Sequence, residues 1–248
     1  MIDWLKRADI TKPPNPQIEP EIELNGASIP IALRRHRTAK RLTLRLAPDG
    51  SEVRITLPKW ANGKDAIAFA HSRADWLAQQ LAKVPARSAP GPGGTLQYRG
   101  ETLAVEWDAA APRRPKRTGD IVRIGGPQEG LDKRLQRWLE REALALFEDD
   151  MADYTAAAAL GPVPVGLSRA QRRWGSCSDK DRIRINWRLV QAPDFVRRSV
   201  VAHEVAHLIH FDHSPAFHAL LGDIYEDDIS RADKWLKDKG RSLYASFG

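Results

Sequence analysis

The stretch from Val200 to His213, VVAHEVAHLIHFDH, restricts the fold more than any other part of the chain. Val200, Val201, Val205, Leu208 and Ile209 surround its polar residues with aliphatic neighbours, as in a helix buried on most of its circumference. His203, Glu204 and His207 sit inside that helix, and buried polar groups need partners. Side chains four apart lie one turn apart on the same helix face, so the imidazoles of His203 and His207 can reach one metal ion. Glu204 points about 100° further round and can hydrogen-bond a metal-bound water instead of the ion. The pattern is ligand, base, ligand.

Zinc in a catalytic site takes three protein ligands and leaves the fourth position to water, so a third ligand is expected downstream. His213 is the first choice, because Ser214 reads as a helix cap and Pro215 as a first helical residue, which puts His213 in a turn between two helices. His210, one turn beyond His207, and His218, inside the next helix, are the alternatives. Asp223, Glu226 or Asp227 would instead make a His, His, Glu set. The spacing from His203 to His213 fits HExxHxxGxxH, but His210 stands where that signature has glycine. The two methionines, Met1 and Met151, both precede the helix, so no Met-turn can lie beneath the ion and the chain is not a metzincin.

A chain of 248 residues can bury a real core, and 42% apolar with 29% charged residues excludes global disorder. No apolar run approaches the ~20 residues of a membrane span. Met1 to Pro20 lacks the apolar core of a secretory signal, and the single Cys177 leaves no internal disulfide; both point to the cytoplasm.

Residues 1–27, with Pro13, Pro14, Pro16 and Pro20, read as a proline-rich tail. From Ile29 to Leu57 the pattern alternates as strands do, with Pro48-Asp49-Gly50 as a hairpin turn. Asn62 then caps a single helix of roughly 20 residues running to Val84. Pro85 to Gly94 is a turn region before two short strands, TLQYRG and ETLAVEW, and PRRPKRTG at Pro112 to Gly119 is a basic loop. Gly125-Gly126-Pro127 marks a boundary between a β-rich domain, 28–126, with one long helix, and a second domain, 127–248. Leu131, Leu135, Trp138, Leu139, Leu146, Phe147 and Met151 predict one or two helices. Ser168 to Val190 predicts two strands joined by the turn Ser178-Asp179-Lys180-Asp181. The class is α+β.

Arg173-Trp174-Gly175-Ser176-Cys177, then Ile185-Asn186-Trp187-Arg188-Leu189, Pro193, HEVAHL and His213-Ser214 with Phe217 resemble the YgjP-like metal-dependent hydrolases, relatives of the SprT and WLM zinc proteases. The resemblance extends upstream through Arg35 to Arg45, Asp75-Trp76-Leu77 and the Leu96 to Leu103 strands, covering about 200 of the 248 residues. It implies a zincin-like metallopeptidase core with His203, His207 and His213 as ligands of one zinc ion and Glu204 as the catalytic residue. The water on such an ion has its pKa lowered from ~15.7 to ~7, and Glu204 can take its proton during peptide-bond hydrolysis. His210, His218, Arg173 and Tyr225 are candidates for stabilising the oxyanion, Trp174 for shaping the cleft, and Cys177 reads as a small buried hydrophobe. An edge strand of the Arg172 to Arg184 hairpin can hold an extended peptide.

Two other function classes compete with a protein or peptide substrate. The net charge of +7 and the clusters Arg34, Arg35, Arg37, Lys40, Arg41; Arg113, Arg114, Lys116, Arg117; and Arg169, Arg172, Arg173 fit a nucleic-acid-associated protein with structural zinc. The two readings combine in a DNA-linked protease, since the SprT and WLM relatives include proteases that act on DNA-bound proteins. A structural site is closed by four ligands, usually rich in Cys, which favours the enzyme here. A zinc hydrolase of small amides or nucleotides is the third reading, without a Walker loop or dinucleotide fingerprint to support it.

Overall fold

The computed structural model describes residues 20–84, 90–178 and 182–247, which fall into two compact units, Met1–Leu81 and Ala82–Gly248. Most of the proline-rich tail, part of the Pro85 to Gly94 turn region and the Asp179-Lys180-Asp181 turn lie outside the described residues.

In the first unit β1 (Glu21–Leu24), β2 (Ala27–Arg35), β3 (Thr43–Leu46) and β4 (Val53–Leu57) form a sheet in the order β1-β2-β4-β3, with β2 and β4 parallel. The predicted Pro48-Asp49-Gly50 turn joins the antiparallel pair β3 and β4. The tail assignment stops short, because β1 pairs with β2 through Asn25-Gly26, both at positive φ (53° and 79°). Asn-Gly is the dipeptide that adopts this tight turn without a steric penalty, and Ile22 and Leu24 alternate into the core beside Ile31, Val53 and Ile55.

The single predicted helix is two: α1 (Gly63–His71), capped by Asn62 accepting from the Asp65 N–H at 2.8 Å, and α2 (Ala74–Leu81). The break falls at Ser72, whose hydroxyl donates to the Phe69 carbonyl at 2.8 Å and so diverts a backbone acceptor of the last turn.

The second unit holds a sheet of β5 (Thr95–Tyr98), β6 (Glu101–Trp107), β7 (Lys116–Thr118) and β8 (Ile121–Ile124), ordered β5-β6-β8-β7. Part of the predicted basic loop is therefore strand β7, paired with β8. Leu96, Leu103, Val105, Val122 and Ile124 from this sheet share one core with Leu135, Trp138 and Phe147 of α3 (Leu131–Ala157), a single unbroken helix. That shared core is why the units divide at Leu81 and not after Gly126: Gly125-Gly126-Pro127 is a local turn inside one packed body.

The remaining strands, β9 (Val165–Ser168), β10 (Gly175–Cys177) and β11 (Ile183–Asn186), form a small sheet ordered β10-β11-β9 that leaves β10 at an edge. A 3-10 turn over Trp187–Gln191 leads into α4 (Asp194–Ala206), followed by α5 (Pro215–Ile224) and α6 (Ile229–Lys239). Among the described residues no helix is long and apolar enough to cross a membrane.

α4 is fixed to α3 by a buried ion pair. Arg197 on α4 donates from Nε to Asp150 Oδ2 at 2.7 Å and from Nη2 to Oδ1 at 3.1 Å, with both side chains at most 3% exposed. Arg198 adds bonds to Asp150 and Asp153 and an ion pair with Glu226. A bidentate arginine–carboxylate pair has directional geometry, so these contacts set the rotation of α4 about its axis as well as its distance from α3.

Candidate metal centre

His203 and Glu204 lie on the last turn of α4, and His207 caps its C-terminus. The chain turns after His207 and re-enters a helix at α5, whose N-cap Ser214 accepts from the Phe217 N–H at 3.4 Å and whose first residue is Pro215. This turn carries His213 back to α4. The ligand atoms of His203, His207 and His213 lie within 4.8 Å of one another. Nε2 of His203 and Nε2 of His213 are 3.2 Å apart. Two nitrogens bound at ~2.0–2.1 Å to one tetrahedral zinc would be separated by roughly 3.3 Å, so this pair is already at ligand spacing.

The His207 Nδ1 lies 3.0 Å from the His210 carbonyl oxygen. A carbonyl can only accept, so Nδ1 carries the proton and the Nε2 lone pair is left for a cation. Beneath the three rings sits Phe217, fully buried, with centroid distances of 5.0, 4.6 and 4.8 Å to His203, His207 and His213. Burial pushes the His203 imidazole down to about 4, helped by the neighbouring His207, His213 and His218. It is therefore a neutral lone-pair donor at pH 7, which is the form a metal requires. The donor set fits one zinc ion.

Glu204, 6% exposed, faces β10. Burial pushes its carboxyl up to about 7, against the backbone N–H of Cys177 and the charge of Arg173, which both favour the ionised form. The approach of strand and carboxylate is so close that a Cβ on Gly175 would lie 2.4 Å from Glu204 Oε1. Only glycine leaves that space. Two cavities, of about 290 and 250 Å³, open beside this carboxylate and share Arg173, Gly175 and Glu204. The first is walled further by Trp174, His203 and Leu221, the second by Cys177, His207 and Phe211. A larger cavity of about 810 Å³, by β7 and Trp138, shares no lining residue with them.

Of the other residues singled out from sequence, Arg173 and Trp174 line these cavities. His218 stacks on His213 at 6.3 Å, outside the converging set. His210 contributes its carbonyl instead of its ring. Tyr225 is not brought to the site: it is 5% exposed and its hydroxyl donates to the Phe195 carbonyl at 2.7 Å, because the residue ends α5 on the side packed toward α3 and α4. The floor formed by Phe217 and the steric role of Gly175 escaped sequence reasoning. Phe217 falls four residues after His213, a helical spacing that could have flagged it; nothing local marks Gly175.

Residues 40–239 match the YgjP-like metallopeptidase domain, from the loop after β2 to the last residue of α6, so the chain carries a domain of the metallopeptidase class. It belongs to the YgjP-like family. No curated protein and no solved structure gives a match.

Proposed function

We propose that the protein is a zinc peptidase of zincin type in which His203, His207 and His213 hold one ion and Glu204 is the general base. The observation that carries this reading is the convergence of three imidazoles beside a buried carboxylate that opens onto two cavities. Bound zinc would lower the pKa of its water to ~7 and polarise the scissile carbonyl. Glu204, pushed up to about 7 by burial, takes a proton at neutral pH and returns it to the leaving nitrogen. Arg173, exposed and bordering both cavities, provides a cation for the charge that develops on the carbonyl oxygen. The outer edge of β10 offers the backbone groups that Glu204 does not engage to an extended peptide, which would place its carbonyl next to Glu204. Among the described residues three ligand side chains and not four converge, which favours an enzyme over a structural zinc site.

The test is metal analysis of the purified protein together with a peptide-library screen. Glu204→Gln is expected to keep stoichiometric zinc and lose turnover; full activity in that variant would remove the base. The double replacement of His203 and His207 by Ala is expected to lose both zinc and activity, and stoichiometric zinc there would refute the site. Unchanged zinc in His213→Ala would transfer the third ligand to another residue.

A further inference from the structure

The parallel strands β2 and β4 end side by side, with Arg35 opposite Leu57 in register, so the segments that follow them emerge at one end of the sheet. The His36 N–H donates to the Leu57 carbonyl at 2.9 Å, which holds the two exits together. The turn after β4 presents Trp60 with 72% of its surface exposed, although Pro58 and Ala61 on either side of it are buried. Its backbone is pinned. Arg35 Nη1 donates to the Lys59 carbonyl at 3.2 Å and to the Ala61 carbonyl at 2.8 Å, and the Ala61 N–H donates to Pro58 at 3.3 Å.

A large indole held in water on a fixed turn does nothing for the core beneath it. On the same strand ends and loops, Arg34, Arg37, Lys40, Arg41 and Lys59 are exposed, and among the described residues none of their side chains forms an ion pair. Unanswered cations around a presented π-face are the two components from which single-strand sites are built: stacking for a base and charge for its phosphates.

We infer that this end of the first unit's sheet binds single-stranded nucleic acid, with a base stacked on Trp60 and the flanking phosphates on Arg37, Lys40 and Arg41. Duplex is disfavoured because its bases are already stacked on one another. An interfacial membrane anchor needs a continuous apolar face, and the strand ends add only Leu33, at 40% exposure, to Trp60. An acidic peptide would satisfy the cations and leave the indole without a stacking partner.

The experiment is fluorescence anisotropy of a labelled pyrimidine oligonucleotide of about 12 nucleotides, as RNA and as DNA, titrated with the full chain over a salt series. The same sequence as duplex, poly-glutamate and anionic phospholipid vesicles serve as competitors. Trp60→Ala is expected to weaken single-strand binding about tenfold or more, Trp60→Phe to restore most of it, and neither to alter the melting temperature. Replacing Arg37, Lys40 and Arg41 together by Ala should flatten the salt dependence by a slope of about 2. Undiminished affinity in Trp60→Ala, or failure of Phe to restore it, overturns the stacking assignment. Absence of oligonucleotide binding at low salt, or stronger displacement by poly-glutamate or vesicles than by single strand, overturns the inference as a whole.

Discussion

Replacing Gly175 by Ala tests the contact between β10 and Glu204 with a single methyl group. The added Cβ would lie 2.4 Å from Oε1, 2.6 Å from Cγ and 2.8 Å from Cδ of Glu204. Ordinary contact needs about 3.4 Å, so the carboxylate must withdraw by about 1 Å, a displacement that costs roughly 10²-fold in rate when it strikes a reacting group. Gly175 is not among the positive-φ glycines, so alanine brings no backbone strain and the effect passes through the side chain. The assay is kcat/KM on a peptide taken from the library screen, beside zinc content and melting temperature. A hundredfold fall in kcat/KM with zinc retained is expected. In a Glu204→Asp background, where the carboxylate has already drawn back by one methylene, the same alanine should cost less than about threefold. Equal losses in both backgrounds, or undiminished activity in the single variant, would refute the steric coupling.

Asp150→Ala removes the bidentate partner of the buried Arg197 guanidinium and leaves it Asp194 alone, a loss of about 3 kcal/mol, which lowers the melting temperature by roughly 10 °C. Replacing the pair together by Leu and Met should recover most of that, and a fall of less than about 3 °C in Asp150→Ala would show the pair to be dispensable. Burial pushes the Asp194 and Glu226 carboxyls up, but Arg99 and Arg197 for the first and Arg198 for the second outweigh it and hold both below the ordinary carboxylate range. A carboxyl depressed by folding stabilises above its unfolded pKa and loses that contribution as pH falls through its folded value. Melting temperature should therefore fall as pH drops below about 4, and less steeply in Glu226→Gln; an equally steep fall in that variant would contradict the assignment.

What could be read from the chain and what could not divide along contact range. The Ser214-Pro215 start of α5, the Asn62 cap and the Asp49-Gly50 turn are set by neighbours a few residues away, and the structure has each where the pattern puts it. Gly125-Gly126-Pro127 is equally visible, yet whether such a turn ends a domain depends on which core the flanking apolar residues join, and Val122 and Leu135 join the same one. The prolines that precede the hairpin of β1 and β2 mask its alternation, although Asn25-Gly26 marks its turn. Ser72 reads as a helical residue because its competing bond to the Phe69 carbonyl carries no periodic signature. The lodging of Glu204 against Gly175 is a contact between distant segments and leaves no trace in local pattern.

All three imidazoles and the aromatic ring beneath them come from one continuous segment, His203 to Phe217. A loop that short is cheap to close, since the entropic penalty rises only with the logarithm of its length. Capturing an ion therefore asks little of the rest of the polypeptide, whereas seating the carboxylate requires a strand from much earlier in the chain. Under the proposed function, loading and competence are thus separable events: a form with β10 displaced would keep its three imidazoles together and stand idle.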